Sequence, residues 1–290
     1  GRQVRVTALE GNIENVGGKI VSVERTELIA KNGDIINDGK KIKEGYYLDS
    51  KNHTEYETVS NIGEISAESV RLETNNYNST GGALATKNLE LQLTGNINEN
   101  ALELNGDDRF GRNSSNYQTY KSKEHIGSGI VAEKATGKVG DINLKGSAFV
   151  VEDGKGLKVG NVKAESAVNE YDTEKRTGQK GLGYRESSFT QSHTEENAAS
   201  NFKIGENANI SGTVTGIGSN IYIGDNSFVG GKVTTDSREL HNTYYNEEKK
   251  SGFSASAKGT SVSAGYGKSK NTYDEKSTIN AKSSLHVGNN

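Results

Sequence analysis

The strongest constraint in this sequence is internal self-similarity at a short period. VTALEGNIEN (Val6 to Asn15) matches LIAKNGDIIN (Leu28 to Asn37) at an offset of 22, with Ala8 on Ala30, Gly11 on Gly33, Ile13 on Ile35 and Asn15 on Asn37. ISAESVRLET (Ile65 to Thr74) matches LATKNLELQL (Leu84 to Leu93) at an offset of 19, with Val70 on Leu89 and Leu72 on Leu91. Apolar residues in these blocks alternate with period 2, the strand period, and the unit is too short for a helical hairpin. A unit of this size cannot bury an apolar face alone, so neighbouring units are expected to stack as coils of a parallel β-helix. The inward positions are then Val4, Val6 and Ala8; Val21 and Val23; Val70 and Leu72; Leu89, Leu91 and Leu93; Ile142 and Leu144; and Ile221 and Ile223. Gly11-Asn12, Asn32-Gly33, Gly95-Asn96 and Gly140-Asp141 mark corners, because Gly and Asn tolerate left-handed backbone. Asn at stacked corners is expected to hydrogen-bond one coil away, forming a ladder.

A longer duplication lies downstream. GDINLKGSAFVV (Gly140 to Val151) aligns with SNIYIGDNSFVG (Ser219 to Gly230) at an offset of 79, setting Ile142 on Ile221, Leu144 on Ile223 and Phe149 on Phe228. GNVKAES (Gly160 to Ser166) aligns with GKVTTDS (Gly231 to Ser237) at 71, so the first copy is expected to hold an eight-residue insertion. Polar, Tyr-containing stretches interrupt the pattern at Tyr46 to Val59, Asn116 to His125, Asn169 to Ser187 and Asn242 to Lys270, with Asn271 to Thr278 returning the chain. In the last of these, Phe253, Ala255 and Ala257 alternate with polar residues, as do Val262, Ala264 and Tyr266 beyond Lys258-Gly259-Thr260. That is a hairpin pattern with a Gly-containing turn of about three residues. The expected organisation is short-period coils over 1–125 and two longer repeats over 126–290, at about 126–200 and 201–290, in one continuous stack of roughly ten coils.

Composition agrees with a thin core. Only 31% of the 290 residues are hydrophobic, against roughly 45–50% in ordinary globular domains. There is no Pro, Cys, Met or Trp, and there are 36 Gly. Absence of Pro suits backbone hydrogen-bonded along most of its length. Absence of Cys excludes disulfides, thiol catalysis and Cys-ligated metals. Without Met, even at position 1, the chain reads as an internal piece of a longer one. The net charge of −3 argues against nucleic acid as a partner. No apolar run approaches the roughly 20 residues of a transmembrane helix.

The coils around GNIENVGGKI and KNGDIINDG resemble the A-x-x-G-x-I-x-N coils of the filamentous haemagglutinin family, and the unit from GDINLKG through GNVKAES to KKSGFSASAKGTSVSAGYGKS resembles its longer haemagglutinin repeat. The first copy departs by shortening its Gly/Ser segment to TGQKGLGYRES. The resemblance covers essentially the whole chain and rests on a structural period. It implies an all-β fold, a right-handed parallel β-helix with polar β-hairpin excursions. It also implies a stalk segment of a large exoprotein of a Gram-negative bacterium, exported by two-partner secretion through an outer-membrane β-barrel transporter. Such a parent is a secreted, cell-surface, monomeric filament, either an adhesin or a contact-dependent growth inhibition effector. It contacts protein or glycan receptors on host or neighbouring bacterial cells. In the growth-inhibition branch the region nearest the toxin is implicated in carrying it across the target's outer membrane.

Chemistry is sparse. His53, His125, His193, His241 and His286 form no H-x-x-x-H pair and read as solvated surface residues. Gly17-Gly18, Gly81-Gly82 and Gly230-Gly231 lack the calcium β-roll spacing, and no phosphate loop or nucleophile elbow occurs. No catalytic, cofactor-binding or metal-binding residue is assigned, no cofactor is expected, and the chain is read as not an enzyme. A polysaccharide-degrading enzyme on the same coils would want paired carboxylates, and the exposed Glu64, Glu68, Glu73 and Glu90 are read instead as a solvated face. The remaining alternative is direct adhesion through Tyr244, Tyr245, Lys249, Lys250, Phe253 and Tyr266. There Tyr offers contact area at low entropic cost, whereas alternating Lys and Glu read first as protection of exposed strand edges. Contact of the Phe253–Tyr266 hairpin with a membrane stays open at this point.

Overall fold

The computed structural model describes residues 1–258 and 260–289, and among them every regular element is a β-strand. Two long parallel sheets run side by side in the chain order. The first has nine strands on its main path, from Gln3–Ala8 through Arg25–Ala30, Glu64–Thr74, Ala83–Leu93, Gly129–Lys138, Ala148–Asp153, Asn201–Glu206 and Asn220–Asp225 to Ser284–Val287. The second has eight, from Ile13–Val16 through Ile35–Asp38, Tyr77–Thr80, Ile97–Asn100, Ile142–Lys145, Val162–Glu165 and Val214–Ile217 to Val233–Asp236. Strands alternate between the sheets along the sequence, an all-β arrangement compatible with a β-helix.

The short repeats sit in direct register. Ala8 lies opposite Ala30, Ile13 opposite Ile35 and Asn15 opposite Asn37, while Leu89 lies opposite Val70 and Leu91 opposite Leu72. Alternate side chains from both sheets meet in one continuous core. Leu28, Leu72 and Leu91 are fully buried, as are Ile35, Tyr77, Ile97, Ile142 and Val214. Phe149 and Phe202 stack at 5.9 Å with planes 13° apart. Like packs on like because in-register parallel strands bring equivalent positions together one strand spacing apart.

Polar ladders run beside the apolar columns. Asn12 Oδ1 accepts from the Asp34 amide, Asp34 from Asn76, Asn76 from Asn96, Asn96 from Asp141, Asp141 from Asn161 and Asn161 from Thr213, at 2.8–3.0 Å. The separations along this ladder are 22, 42, 20, 45, 20 and 52 residues, so short and long repeats alternate. Each long one contains a hairpin. The corner residue differs between the two kinds of repeat. Gly17, Gly81, Gly146 and Gly218 follow second-sheet strands with φ of 62°, 68°, 61° and 58°, and there the chain turns tightly into the next first-sheet strand. At the intervening corners stand Gly39, Ala101, Ser166 and Ser237, none with positive φ, and the chain departs into a hairpin. A Cβ on Gly146 would also lie 2.8 Å from that of Ala167, the first residue of a hairpin, so this corner has room only for glycine.

Three expectations need correction. Val21 and Val23 point outward, at 45% and 71% exposure, while Ser22 is buried between them, because the segment's parity is one residue off from that expected. Val6 is exposed and Val4 and Ala8 are half-buried, although all three keep the inward parity of buried Thr26, Leu28 and Ala30 beside them, since their strand is the sheet's edge. The alignment of GDINLKGSAFVV with SNIYIGDNSFVG is out of frame. Ile142 lies in the second sheet and Ile221 in the first, where Ile221 pairs with Phe202 and Phe202 with Phe149. Phe228 is exposed. Both sheets use the same x-I-x-I/L pattern followed by a glycine corner, so a second-sheet segment can be matched with a first-sheet segment by sequence alone. The alignment of GNVKAES with GKVTTDS is in frame, with Val162, Val214 and Val233 in one column.

Candidate contact surface

Four hairpins leave the parallel sheets: Lys40–Asp49 with Asn52–Asn61, Leu102–Asn113 with Asn116–Ile126, Ala167–Gly181 with Tyr184–Ala198, and Arg238–Lys258 with Ser261–Ala281. Their first strands lengthen from 10 to 12, 15 and 21 residues. The shortened TGQKGLGYRES segment still closes a hairpin, turning between Gly181 and Tyr184 with Gly183 at φ 78°. In the last hairpin, Gly259 of the expected turn lies outside the described residues. The hairpins do not stand apart. They pair side by side into a single eight-stranded antiparallel sheet in sequence order. Beyond roots such as buried Ala167 and Leu240, no described residue of this sheet is fully buried, so both of its faces meet solvent.

Alternation and register divide its side chains cleanly. One face carries Tyr120 stacked on Tyr171 at 6.5 Å, Tyr244 edge-on to Tyr273 at 6.0 Å, and Lys250 paired with Glu186 at 2.7 Å. The other carries Tyr117, Arg176, Phe189, Tyr245 and Glu247, then Lys249 and Lys270, then Lys180, Arg185 and Lys268, and at the tip Phe253 beside Tyr266. The six contact residues named from sequence are therefore split. Tyr245, Lys249, Phe253 and Tyr266 share a face, and Tyr244 and Lys250 lie on the reverse.

The electrostatics follow this division. Arg176 sits 4.9 Å over the Phe189 ring, and Phe189 meets Tyr245 at 6.0 Å. Hydrogen bonds from Lys249 and Lys270 hold the Glu247 carboxyl down at about 2. Glu186 raises Lys250 on the reverse face. Nearer the sheet's roots, His193 lies between Asp172, at 2.8 Å, and Glu195, at 3.5 Å. Burial works to lower its pKa, but hydrogen bonds to the two carboxylates outweigh this and raise it. His53 and His125 are likewise shielded, against the expectation of solvated rings, with side chains 17% and 11% exposed beside Asp107 and Glu103. Strand pairing brings Asp172, Glu103 and Asp107 to these rings, the last from a neighbouring hairpin, while Glu195 stands two residues along His193's own strand.

Across the tips of the last three hairpins lies a groove of about 1290 Å³, lined among others by Asn116, Arg176, Lys180, Arg185, Tyr266 and Lys268. Sequence reading missed Arg176, Lys180, Arg185 and Lys268. Arg176 and Lys180 share strand parity, as do Lys268 and Lys270, which was a readable signal, but the adjacency of the strands was not. The four glutamates weighed for carbohydrate chemistry are ion-paired on the first parallel sheet: Glu64 with Lys19, Glu68 with Lys87, and Glu73 and Glu90 with Arg71, at 2.8–3.3 Å. Comparison with protein-family models, curated proteins and solved structures finds no match to this chain.

Proposed function

We propose that this chain is a section of a right-handed parallel β-helix serving as the stalk of a large secreted, cell-surface exoprotein of the filamentous haemagglutinin kind. In this reading the two parallel sheets are the shaft, and the antiparallel hairpin sheet is a fin along one side of it. Export of the parent through an outer-membrane β-barrel transporter and folding outside the cell suit a chain with no disulfide and no prolyl bond to isomerise slowly. The role is mechanical: to hold adhesive or toxin-bearing parts at a distance from the producing cell. The observation that carries this reading is the register itself. Equivalent residues stack in columns through eight second-sheet strands, which is the energetics of a quasi-one-dimensional repeat.

Small-angle X-ray scattering of the 290-residue chain tests the shape, with a skewed, rod-like pair-distance distribution expected and a symmetric, globular one overturning the shaft. Surface display of a fusion behind an export-competent leader, with and without the transporter, tests the route. A second reading, an adhesive module, is favoured by the cation-rich end of the hairpin sheet.

A further inference from the structure

The outer end of one hairpin-sheet face gathers six cations, Arg176, Lys180, Arg185, Lys249, Lys268 and Lys270, in a chain whose net charge is −3. Glu247 is the carboxylate that answers them, and it serves Lys249 and Lys270. The other four form no ion pair among the described residues. Lys180 lies directly opposite Arg185, and Arg185, Ser251 and Lys268 continue the same row across the next two strands. Like charges facing each other across paired strands destabilise a sheet. All four are exposed, Arg176 over the Phe189 ring and Lys268 beside that of Tyr266, and Lys180 and Arg185 have no aromatic partner among the described residues. Glu186 and Lys250, placed by strand parity on the reverse face, also reach the groove's lining and neutralise each other at 2.7 Å. The unpaired charge left in the groove is thus positive.

Shape and composition narrow the ligand. Small residues, Gly178, Ser187 and Ser251, lie between the cations on this face, so the groove runs past the long side chains. At its outer end Phe253 and Tyr266 stand 5.0 Å apart with planes tilted by 54° and exposures of 73% and 52%. Lys268 Nζ lies 5.6 Å from the Tyr266 ring. Exposed rings beside unpaired cations suit a chain that alternates an apolar C–H face with acidic substituents. Toward the roots, Glu247, Asp274 and Glu174 close the patch on the same face. Three rows on four strands cover roughly 14 by 15 Å. That accommodates a few saccharide units, whereas a duplex bearing a charge every ~1.7 Å would run onto those acids. Beyond Phe253 the same face offers Ala255, Ala257, Val262 and Ala264, too little apolar area for stable burial in a bilayer.

We propose that this groove binds an acidic polysaccharide, its carboxylate or sulfate groups seated on Arg176, Lys180, Arg185 and Lys268 and one sugar ring against Phe253 and Tyr266. The proposal goes beyond the stalk reading, which needs no ligand, and either can fail alone. Rod-like scattering without glycan binding sinks only this one.

Titration calorimetry of the 290-residue chain with size-fractionated chondroitin sulfate oligosaccharides is the test. Binding that weakens with added salt is expected, with no binding to neutral dextran. The variant K180Q/R185Q/K268Q should lose at least tenfold in affinity, and F253A/Y266A should weaken binding severalfold at unchanged salt dependence. K134Q/K138Q/K158Q, on the first parallel sheet, should bind as the unaltered chain does. If the triple variant melts early, the single exposed change Lys268→Glu replaces it, with a loss of severalfold expected. Absence of binding at low salt overturns the proposal. So does unchanged affinity in folded variants of the groove. Equal or tighter binding of a short single-stranded oligonucleotide, or binding confined to phosphatidylcholine vesicles containing phosphatidylglycerol, would assign the cations to another class of partner and equally overturn it.

Discussion

Glu99 shows how strongly one position can depend on its column. Its inward row in the second sheet begins with Asn15 donating to Asn37 at 2.7 Å, and the Ser79 hydroxyl donates to the Asn37 carbonyl at 2.8 Å. Glu99 comes next, fully buried and directly opposite Leu144, with neither carboxylate oxygen in a hydrogen bond of good geometry. Burial pushes its pKa up to about 8, against the opposing effect of the Ser128 and Ser79 hydroxyls. The folded chain therefore keeps a proton that the unfolded chain releases near 4.5. Stability should fall as pH rises from about 4.5 to about 8 and then level off. Urea unfolding of Glu99→Gln should lack that decline, and identical pH slopes in both proteins would refute the assignment. Glu99→Leu, matching Leu144 beside it, should add about 1–3 kcal/mol by removing an unpaired buried polar group. The glycine corners are the second residue-scale device. Gly146→Ala should cost about 1–2 kcal/mol from left-handed strain alone, more with the Ala167 contact, seen as a lower melting temperature. An unchanged melting temperature would mean that the corner does not need glycine.

At the scale of elements, alternation specifies which face a residue takes, but pairing specifies what it meets. The hairpin stretches were legible as strands because Phe253, Ala255 and Ala257 mirror Val262, Ala264 and Tyr266, and these are the residues that pair. That four hairpins join into one sheet was not legible, since the pairing of Tyr117–Lys123 with Glu170–Arg176 joins segments far apart in the chain that share no motif. His193 shows the same dependence on pairing within one hairpin, where Asp172 lies directly opposite it. Its raised pKa adds stability that is complete below the ordinary histidine value of 6.5 and is lost as pH rises through the folded value. A proton NMR titration should find it above 6.5, and Asp172→Asn should bring it down. A midpoint unmoved by that change would break the link.

For the whole molecule, coupling runs along the stack. Leu91 is fully buried between Leu72 and the Gly137 backbone. Leu91→Asp should destabilise by more than the about 2–5 kcal/mol of a Leu→Ala cavity, because an unpaired charge is added to it. Amide protection should drop in the strands Glu64–Thr74 and Gly129–Lys138 on both sides, since repeat stability is carried by nearest neighbours. Loss confined to Ala83–Leu93 would contradict that coupling. The hairpin sheet has no such core. It holds its shape through antiparallel pairing across eight strands, from Lys40–Asp49 at one edge to Ser261–Ala281 at the other, and through cross-strand aromatic and ionic pairs.

The sequence by itself determined the strand period, the stacking of Ile13 on Ile35 and of Leu72 on Leu91, and the Asn/Asp ladder, because each depends on residues within one repeat or its nearest copy. Of the expected left-handed corners only Gly11 takes that backbone, and Gly33, Gly95 and Gly140 are held to glycine by the close approach of the neighbouring strand instead. Only the tertiary structure decided the frame of Ile142 and Ile221, the outward turn of Val21 and Val23, and the burial of Glu99. It also decided the gathering of Lys180, Arg185 and Lys268 on one face. These depend on which strands lie side by side, and a strand's two-fold alternation is identical in both sheets. Local chemistry can say that a residue alternates. It takes the neighbouring strand to say against what.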